Sequence, residues 1–313
     1  MGAKGATVSA GGGTKAIIAA LVANAGIAVA KFVGFLITGS SSMLAESVHS
    51  VADTSNQGLL LLGQKTARRK ATLNHPFGFG RDRYFYSFIV ALMLFSLGSV
   101  FALYEGIHKL ESHEELSSPI VAVLILVVAI GLETYSFRTA IVESKAIKGD
   151  ATWWQFIRQS KVPELPVVLL EDAGALFGLV LALMGVGLST LTGDPVWDAI
   201  GTICIGALLG VIAIILIVEM KSLLIGEGAA PAELDVIVDQ LTGGKVQRVI
   251  HIKTQYIGPD ELLVAAKIAL NPGLSITEVA EAIDAAEQRV REKVPAARLI
   301  YLEPDLDRSL AKS

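Results

Sequence analysis

Six long apolar stretches occupy the first two thirds of the chain, separated by polar connections. They run over residues 15–38, 42–64, 83–106, 118–141, 165–190 and 196–222. A helix needs about 20 apolar residues to cross the hydrocarbon core of a bilayer, so each stretch is long enough. The second is the least hydrophobic because polar side chains interrupt it, although LLLLG completes the span. The pattern predicts a multi-pass α-helical membrane protein with six transmembrane helices.

From about residue 223 the pattern becomes that of a small soluble domain. PAELDVIVDQLTG predicts a helix that ends at Gly243, and two strands follow, joined by a turn at residues 258–260. Ser275 and Glu278 have the spacing of a capping box at the start of an amphipathic helix, and ARLIYLEP predicts a last strand. This αββαβ order is typical of helices packed on one face of a small sheet, and we expect a docking or dimerisation module.

These patterns divide the chain into four segments. We expect a disordered cytoplasmic tail over residues 1–14, a transmembrane domain over 15–222, a cytoplasmic domain over 223–306 and a short tail over 307–313. Composition agrees with a membrane protein: of 313 residues, 52% are hydrophobic and only 18% are charged, and the mean hydropathy of +0.58 excludes an ordinary soluble protein. The single cysteine, Cys204, excludes a disulfide framework and a cysteine-rich zinc site.

The distribution of basic residues between the connections predicts which side each one faces. Ten lie in the second and fourth connections: Lys65, Arg68, Arg69, Lys70, Arg81, Arg83, Lys145, Lys148, Arg158 and Lys161. The other three connections hold only Lys109, beside three glutamates. By the positive-inside rule, both termini are cytoplasmic. Since the chain starts with a short Gly- and Ala-rich tail that lacks a presequence, we expect a prokaryotic plasma membrane.

The second stretch carries a stripe of polar residues. Glu46, His49, Asp53 and Asn56 are spaced by three, four and three residues, which places them along one helix face. An ionisable side chain inside a membrane costs roughly 2.5–3.5 kcal/mol on insertion scales, so several on one helix need a common purpose. His49 and Asp53 can offer an imidazole nitrogen and a carboxylate oxygen to one metal ion.

The fifth stretch supplies a second pair of candidate ligands. Glu171 and Asp172 are its only charges, and they lie at a depth similar to that of His49 and Asp53. Mixed nitrogen and oxygen ligands from two helices suit a divalent transition metal. Such ligands bind metal only when deprotonated, so metal release is coupled to protonation, with His49 as the natural exchanger. The alternative is a polar network that only joins the helices.

The chain resembles the cation diffusion facilitators. The resemblance covers nearly the whole chain and is most specific in SSSMLAESVHSVADTSNQ, HPFGFGR and LLEDAGALFG. It implies a six-span, proton-coupled exporter of divalent metals, zinc first, that works as a homodimer with a ferredoxin-like cytoplasmic domain. Two further motifs, SVHSVADTSNQGLLLLG and VVLLEDAGALFGL, are most similar to the branch of the animal mitochondrial zinc transporter. In this branch zinc is expected, although an oxygen-rich site also suits manganese or iron.

The resemblance also assigns the candidate ligands. It implies metal ligands at His49 and Asp53 in the second span and a His-x-x-x-Asp pair in the fifth. Asp172 matches that aspartate, but the histidine position holds Val168, and Glu171 is the neighbour that can replace it. His75 falls in a loop where some members bind a second zinc, and a simple turn is the alternative there.

Other functions fit the residues less well. An intramembrane metal hydrolase needs a His-Glu-x-x-His pair, which the sequence lacks, so we expect a transporter and not an enzyme. A non-transporting metal sensor or dimer partner stays an alternative, because the fifth-span histidine is missing. His251, the one histidine of the soluble domain, is expected to be an ordinary strand residue. We expect a divalent cation, protons, membrane lipid and a second copy as partners, with no prosthetic group and no nucleic acid.

Overall fold

The computed structural model describes residues 25–112 and 118–306. Its helices are α1 (Ala25–Thr38), α2 (Ser41–Ala67), α3 (Asp82–Ser112), α4 (Pro119–Lys148), α5 (Trp153–Gln159), α6 (Glu164–Thr192), α7 (Val196–Ile225), α8 (Pro231–Leu241) and α9 (Ile276–Lys293). The strands are β1 (Val246–Gly258), β2 (Glu261–Leu270) and β3 (Leu299–Pro304). The predicted tails over 1–14 and 307–313 lie outside the described residues, as does the acidic loop at 113–117.

Four of the helices, α3, α4, α6 and α7, are long and apolar enough to cross a membrane. They coincide with the third to sixth predicted spans. The other two predicted spans differ: only Ala25–Thr38 of the first is described, and the polar stripe of α2 lowers the hydropathy of a helix that is long enough at 27 residues. The membrane-spanning character is therefore supported for four helices, and the count of six stays a prediction.

The chain divides into two compact units, each with its own packing. The first comprises the residues up to Leu61, Ser87–Asp150 and Glu164–Ile217. The second comprises Leu62–Tyr86, Ala151–Pro163 and the residues from Val218 onward. The first unit holds the central parts of the apolar helices, and the second holds the sheet domain and two connections.

Glycines allow the helices of the first unit to approach closely. A Cβ atom added to Gly206 of α7 would lie 2.8 Å from the backbone nitrogen of Leu103 in α3. At Gly201 it would lie 3.2 Å from the carbonyl oxygen of Leu181 in α6. Small residues at such crossings replace side-chain packing by backbone contact.

A π-helical segment interrupts α3 at Leu94–Val100. It places Gly98 beside α2, where an added Cβ would lie 3.8 Å from His49 Nδ1. The Ser99 hydroxyl donates a hydrogen bond of 2.8 Å to the carbonyl of Gly206 in α7. Single π turns inside α-helices occur often near functional sites, and no sequence pattern predicted this one.

The α1–α2 connection is held by a buried carboxylate of α7. Asp198 accepts hydrogen bonds from the Ser40 hydroxyl at 3.0 Å and from the backbone N–H of Ser41 at 3.0 Å. It thereby supplies an acceptor for a free N–H at the start of α2. Gly39, with φ +66°, makes the turn between the two helices. These contacts set where α2, and hence its polar stripe, begins.

The second unit contains a three-stranded mixed sheet. Its order is β1-β2-β3, with β1 antiparallel and β3 parallel to β2. Its buried core joins sheet residues to both helices: Ile237, Leu241, Val246, Tyr256, Leu262, Val264, Ala266, Ile268, Ala286, Val290, Val294, Ala297 and Ile300. The predicted αββαβ order is confirmed, with its turn after Gly258 and with the capping box of Ser275 and Glu278.

Candidate metal site

Three of the four residues in the polar stripe of α2 are buried, and Asp53 is partly buried. Glu46 and Asn56 are fully buried, and His49 is 1% exposed. His49 Nε2 lies 3.5 Å from Asp53 Oδ2, and neither ring nitrogen makes a hydrogen bond within the described residues. A buried imidazole without hydrogen bonds has a desolvation cost, and the nearby Asp53 carboxylate offsets it only when the ring is protonated.

Two side chains hold the acidic pair of α6. The amide of Asn56 donates a hydrogen bond of 2.6 Å to Glu171 Oε1, which joins α2 to α6. The hydroxyl of Ser136 in α4 donates one of 2.9 Å to Asp172 Oδ2. Each carboxylate therefore has one oxygen in a fixed contact, and Glu171 and Asp172 are oriented by different helices.

A small cavity lies between α2 and α6, at the two predicted pairs of ligands. It is lined by Ser50, Asp53, Gln57, Glu133, Val168, Glu171 and Asp172. Its volume of about 10 Å³ is close to the space that one water molecule needs. Asp53 of α2 thus shares a cavity with the acidic pair of α6, and Val168 is exposed to the same space. His49 and Asn56 contact residues of the lining but do not line it themselves.

Glu46 has a different environment from the rest of the stripe. Its Oε2 lies 3.1 Å from the ammonium nitrogen of Lys31 in α1, and both side chains are fully buried. Lys31 also donates a hydrogen bond of 2.7 Å to the Ser50 hydroxyl. Sequence reasoning missed Lys31, although a lysine in the middle of an apolar span was a usable signal.

The ligands are not yet gathered around one point. Within the described part of the chain, no three His, Cys, Asp or Glu side chains are arranged to hold a metal ion. His49 with Asp53 forms one pair, and Glu171 with Asp172 forms the other. Asp53, Glu171 and Asp172 already line the cavity, whereas the His49 ring would have to turn toward it to share an ion with them.

The two other candidate histidines lie on the surface of the second unit. His75 is exposed in a tight turn, where its backbone pairs with Thr72 and its ring lies 4.6 Å from that of Phe79. His251 is exposed on β1, opposite Lys267 of β2. A neighbouring cation disfavours metal binding at His251, in line with its interpretation as a strand residue.

A model of the cation efflux transmembrane domain matches residues 17–225. The chain belongs to the cation diffusion facilitator family. The resemblance that the motifs indicated is thus confirmed. The matched segment includes the whole polar stripe of α2 and the acidic pair of α6.

Individual relatives agree with this assignment. The protein named proton-coupled zinc antiporter SLC30A9, mitochondrial, from Xenopus laevis is 34% identical over 81% of this chain and 46% of its own length. The Homo sapiens protein of that name is 30% identical, over 81% and 45%. Metal tolerance protein C4 from Arabidopsis thaliana is 30% identical, over 82% and 57%. The chain spans about half the length of these relatives.

These relatives contradict the predicted location in the plasma membrane. The Xenopus laevis and Homo sapiens proteins are named as mitochondrial, which points to an organellar membrane. The expectation rested on the short start of the chain, which is not informative in a protein that matches only part of longer relatives. The charges of the connections report which side a loop faces, and they do not identify the membrane.

Proposed function

We propose that the chain is a proton-coupled exporter of divalent metal ions, with zinc as the first candidate and manganese or iron as others. The observation that carries the proposal is the shared cavity of Asp53 from α2 and of Glu171 and Asp172 from α6. Together with His49, these side chains form a set of nitrogen and oxygen ligands on two helices.

Ion binding explains this arrangement better than helix adhesion does. A network that only joined helices would pair its buried donors and acceptors. Here Asp53 Oδ1 and both His49 nitrogens lack a hydrogen-bond partner among the described residues. Carboxylates from two helices also repel one another across a small cavity, and a divalent cation or protons would offset that repulsion.

Proton coupling follows from the ligand chemistry. Carboxylates and imidazole bind a metal ion only in their deprotonated forms, so protons and metal compete for the same atoms. Protons arriving from one side displace the metal, and loss of those protons on the other side restores the site. Rocking of helix groups around a site at mid-membrane would open it alternately to each side.

The remaining predictions complete the proposal. We infer six membrane spans, formed by α1, α2, α3, α4, α6 and α7, and a homodimer with the αββαβ domain as its dimerisation module. Of the candidate ligands, Glu46 is the least available to a metal ion, because its carboxylate already forms an ion pair with Lys31. Asn56 is best explained as the residue that orients Glu171.

One observation supports a second function. Val168 occupies a cavity position at which the family carries a ligand, and a valine offers no atom to a metal. A degenerate site of this kind suits a metal sensor or a non-transporting dimer partner. The two functions differ in one respect, because a partner protein moves no metal by itself.

Uptake by proteoliposomes tests the proposal. The purified chain would be reconstituted and offered zinc, manganese, iron or cadmium under a pH gradient, beside Asp53→Ala, Asp172→Ala and the exposed control Asp194→Asn. We expect uptake of at least one metal by the intact chain and by the control, with loss in both site variants. An intact chain that moves no metal would favour the sensor or partner function.

A further inference from the structure

We propose that Glu133 of α4 is a metal ligand of this site. It takes the place of the histidine that is missing at position 168, where this chain has a valine. The inference deepens the proposed function and rests on it. With Glu133, a third helix contributes to the site, and most of its ligand atoms are oxygens. The expected substrate is therefore a divalent cation that binds carboxylates, with manganese or iron competing with zinc.

The position of Glu133 carries the inference. It lies at the centre of α4, a helix long and apolar enough to cross a membrane, and is 9% exposed. It lines the same cavity as Asp53, Val168 and Asp172. One turn later on α4, the Ser136 hydroxyl donates a hydrogen bond of 2.9 Å to Asp172 Oδ2, which shows that this face of α4 is directed toward α6. Residues three apart share a face, so Glu133 and Ser136 both point toward α6.

No structural contact explains this carboxylate. Among the described residues, Glu133 makes neither a hydrogen bond nor an ion pair. It lines one cavity with Asp53 and Asp172, and the three carboxylates repel one another when they are deprotonated. A side chain kept only for packing would not add a fourth acid to this cavity, because that placement is unfavourable for all four. A bound divalent cation reverses the sign of the interaction.

The chemistry of the ligand set predicts its selectivity. A His-x-x-x-Asp pair in α6 would give the site a second imidazole, and imidazole nitrogen favours zinc over manganese. Because residue 168 is valine, the site lacks that nitrogen, and Glu133 supplies an oxygen from the neighbouring helix instead. The site then combines one imidazole with several carboxylates, and such oxygen-rich sites suit manganese and iron better than histidine-rich ones do.

Metal binding to the full-length chain in detergent tests the inference. Isothermal titration with Zn²⁺ and Mn²⁺ would compare the intact chain with Glu133→Gln and with Glu143→Gln, an exposed carboxylate on the same helix. We expect Glu133→Gln to weaken Mn²⁺ binding by about tenfold or more, with a smaller effect on Zn²⁺, and Glu143→Gln to change neither. Adding Val168→His to Glu133→Gln should restore Zn²⁺ binding without restoring Mn²⁺ binding.

The possible outcomes separate the two proposals. If the intact chain binds neither metal, the proposed function fails, and the role of Glu133 fails with it. If the intact chain binds metal and Glu133→Gln binds both metals equally well, only the role of Glu133 is overturned. If Glu133→Gln does not fold, Glu133→Asp replaces it: a shortened carboxylate must lose Mn²⁺ affinity while thermal unfolding stays unchanged, and unchanged affinity would reject the inference.

Discussion

The Asn56 amide holds the Glu171 carboxylate across two helices, with 2.6 Å between Nδ2 and Oε1. Asp172, the next residue, is instead held from α4 by Ser136. The two adjacent acids of α6 therefore accept hydrogen bonds from different helices, α2 and α4. The contact gives Asn56 a role in the site without requiring that it bind metal.

Replacement of Asn56 by alanine should destabilise the protein. Glu171 is 4% exposed and would lose its donor, and an unsatisfied buried acceptor costs about 1–3 kcal/mol. Thermal unfolding in detergent would measure the loss. Ser55→Ala is the control, because the Ser55 hydroxyl bonds only to the carbonyl of Val51 in its own helix. Equal midpoints for the two variants would show that the Asn56–Glu171 contact contributes nothing.

The ion pair of Lys31 and Glu46 should respond asymmetrically to mutation. Both side chains are fully buried, so Lys31→Met leaves an uncompensated carboxylate at a cost of about 3–5 kcal/mol. Removing the charge as well, with Glu46→Gln, should recover most of that loss. A double-mutant cycle on thermal stability measures the coupling. If Lys31→Met alone unfolds like the intact chain, the ion pair is not formed in the membrane protein.

The close crossing of α3 and α7 should not tolerate a methyl group. Gly206→Ala would place a Cβ 2.8 Å from the Leu103 backbone nitrogen, and the backbone cannot rotate away. Overpacking of this kind costs about 1–3 kcal/mol. Gly187→Ala in α6 meets no atom within 4 Å and should be neutral or slightly stabilising. The two thermal midpoints should therefore move differently, and a parallel shift would argue against the crossing.

The sheet domain should lose stability at alkaline pH through Tyr256. Burial raises the pKa of its phenol, and its hydrogen bonds to Glu233, 2.9 Å to each carboxylate oxygen, raise it further. A pKa raised in the folded state gives stability that is complete below the unfolded value of about 10 and is lost above it. Tyr256→Phe should flatten the decline in unfolding midpoint above about pH 10, whereas the exposed control Tyr301→Phe should not. Identical slopes for all three proteins would contradict this assignment.

The sequence predicted features that depend on local periodicity. The αββαβ order, the turn at 258–260 and the capping box at Ser275 depend on neighbouring residues, and all three are present. The common face of Glu46, His49, Asp53 and Asn56 on α2 likewise follows from helical spacing alone.

Features that depend on the packing of distant segments were missed. Lys31 forms an ion pair with Glu46, and Glu133 lines the cavity beside α6. Both contacts depend on which helix faces pack together, and a single sequence does not show that. The π segment at Leu94–Val100 has no periodic signal of its own. Isolated charges in apolar spans were the available clue to these contacts.

The most direct test of the account measures metal and proton movement together in one preparation. Proteoliposomes with a metal dye and a pH dye inside would be given metal outside and an acidic interior. The account predicts metal entry with alkalinisation of the interior, reversal of both when the gradients are reversed, and loss of both in Asp53→Ala but not in Ser55→Ala. Metal entry with no proton movement, or full activity in Asp53→Ala, would contradict exchange at this site.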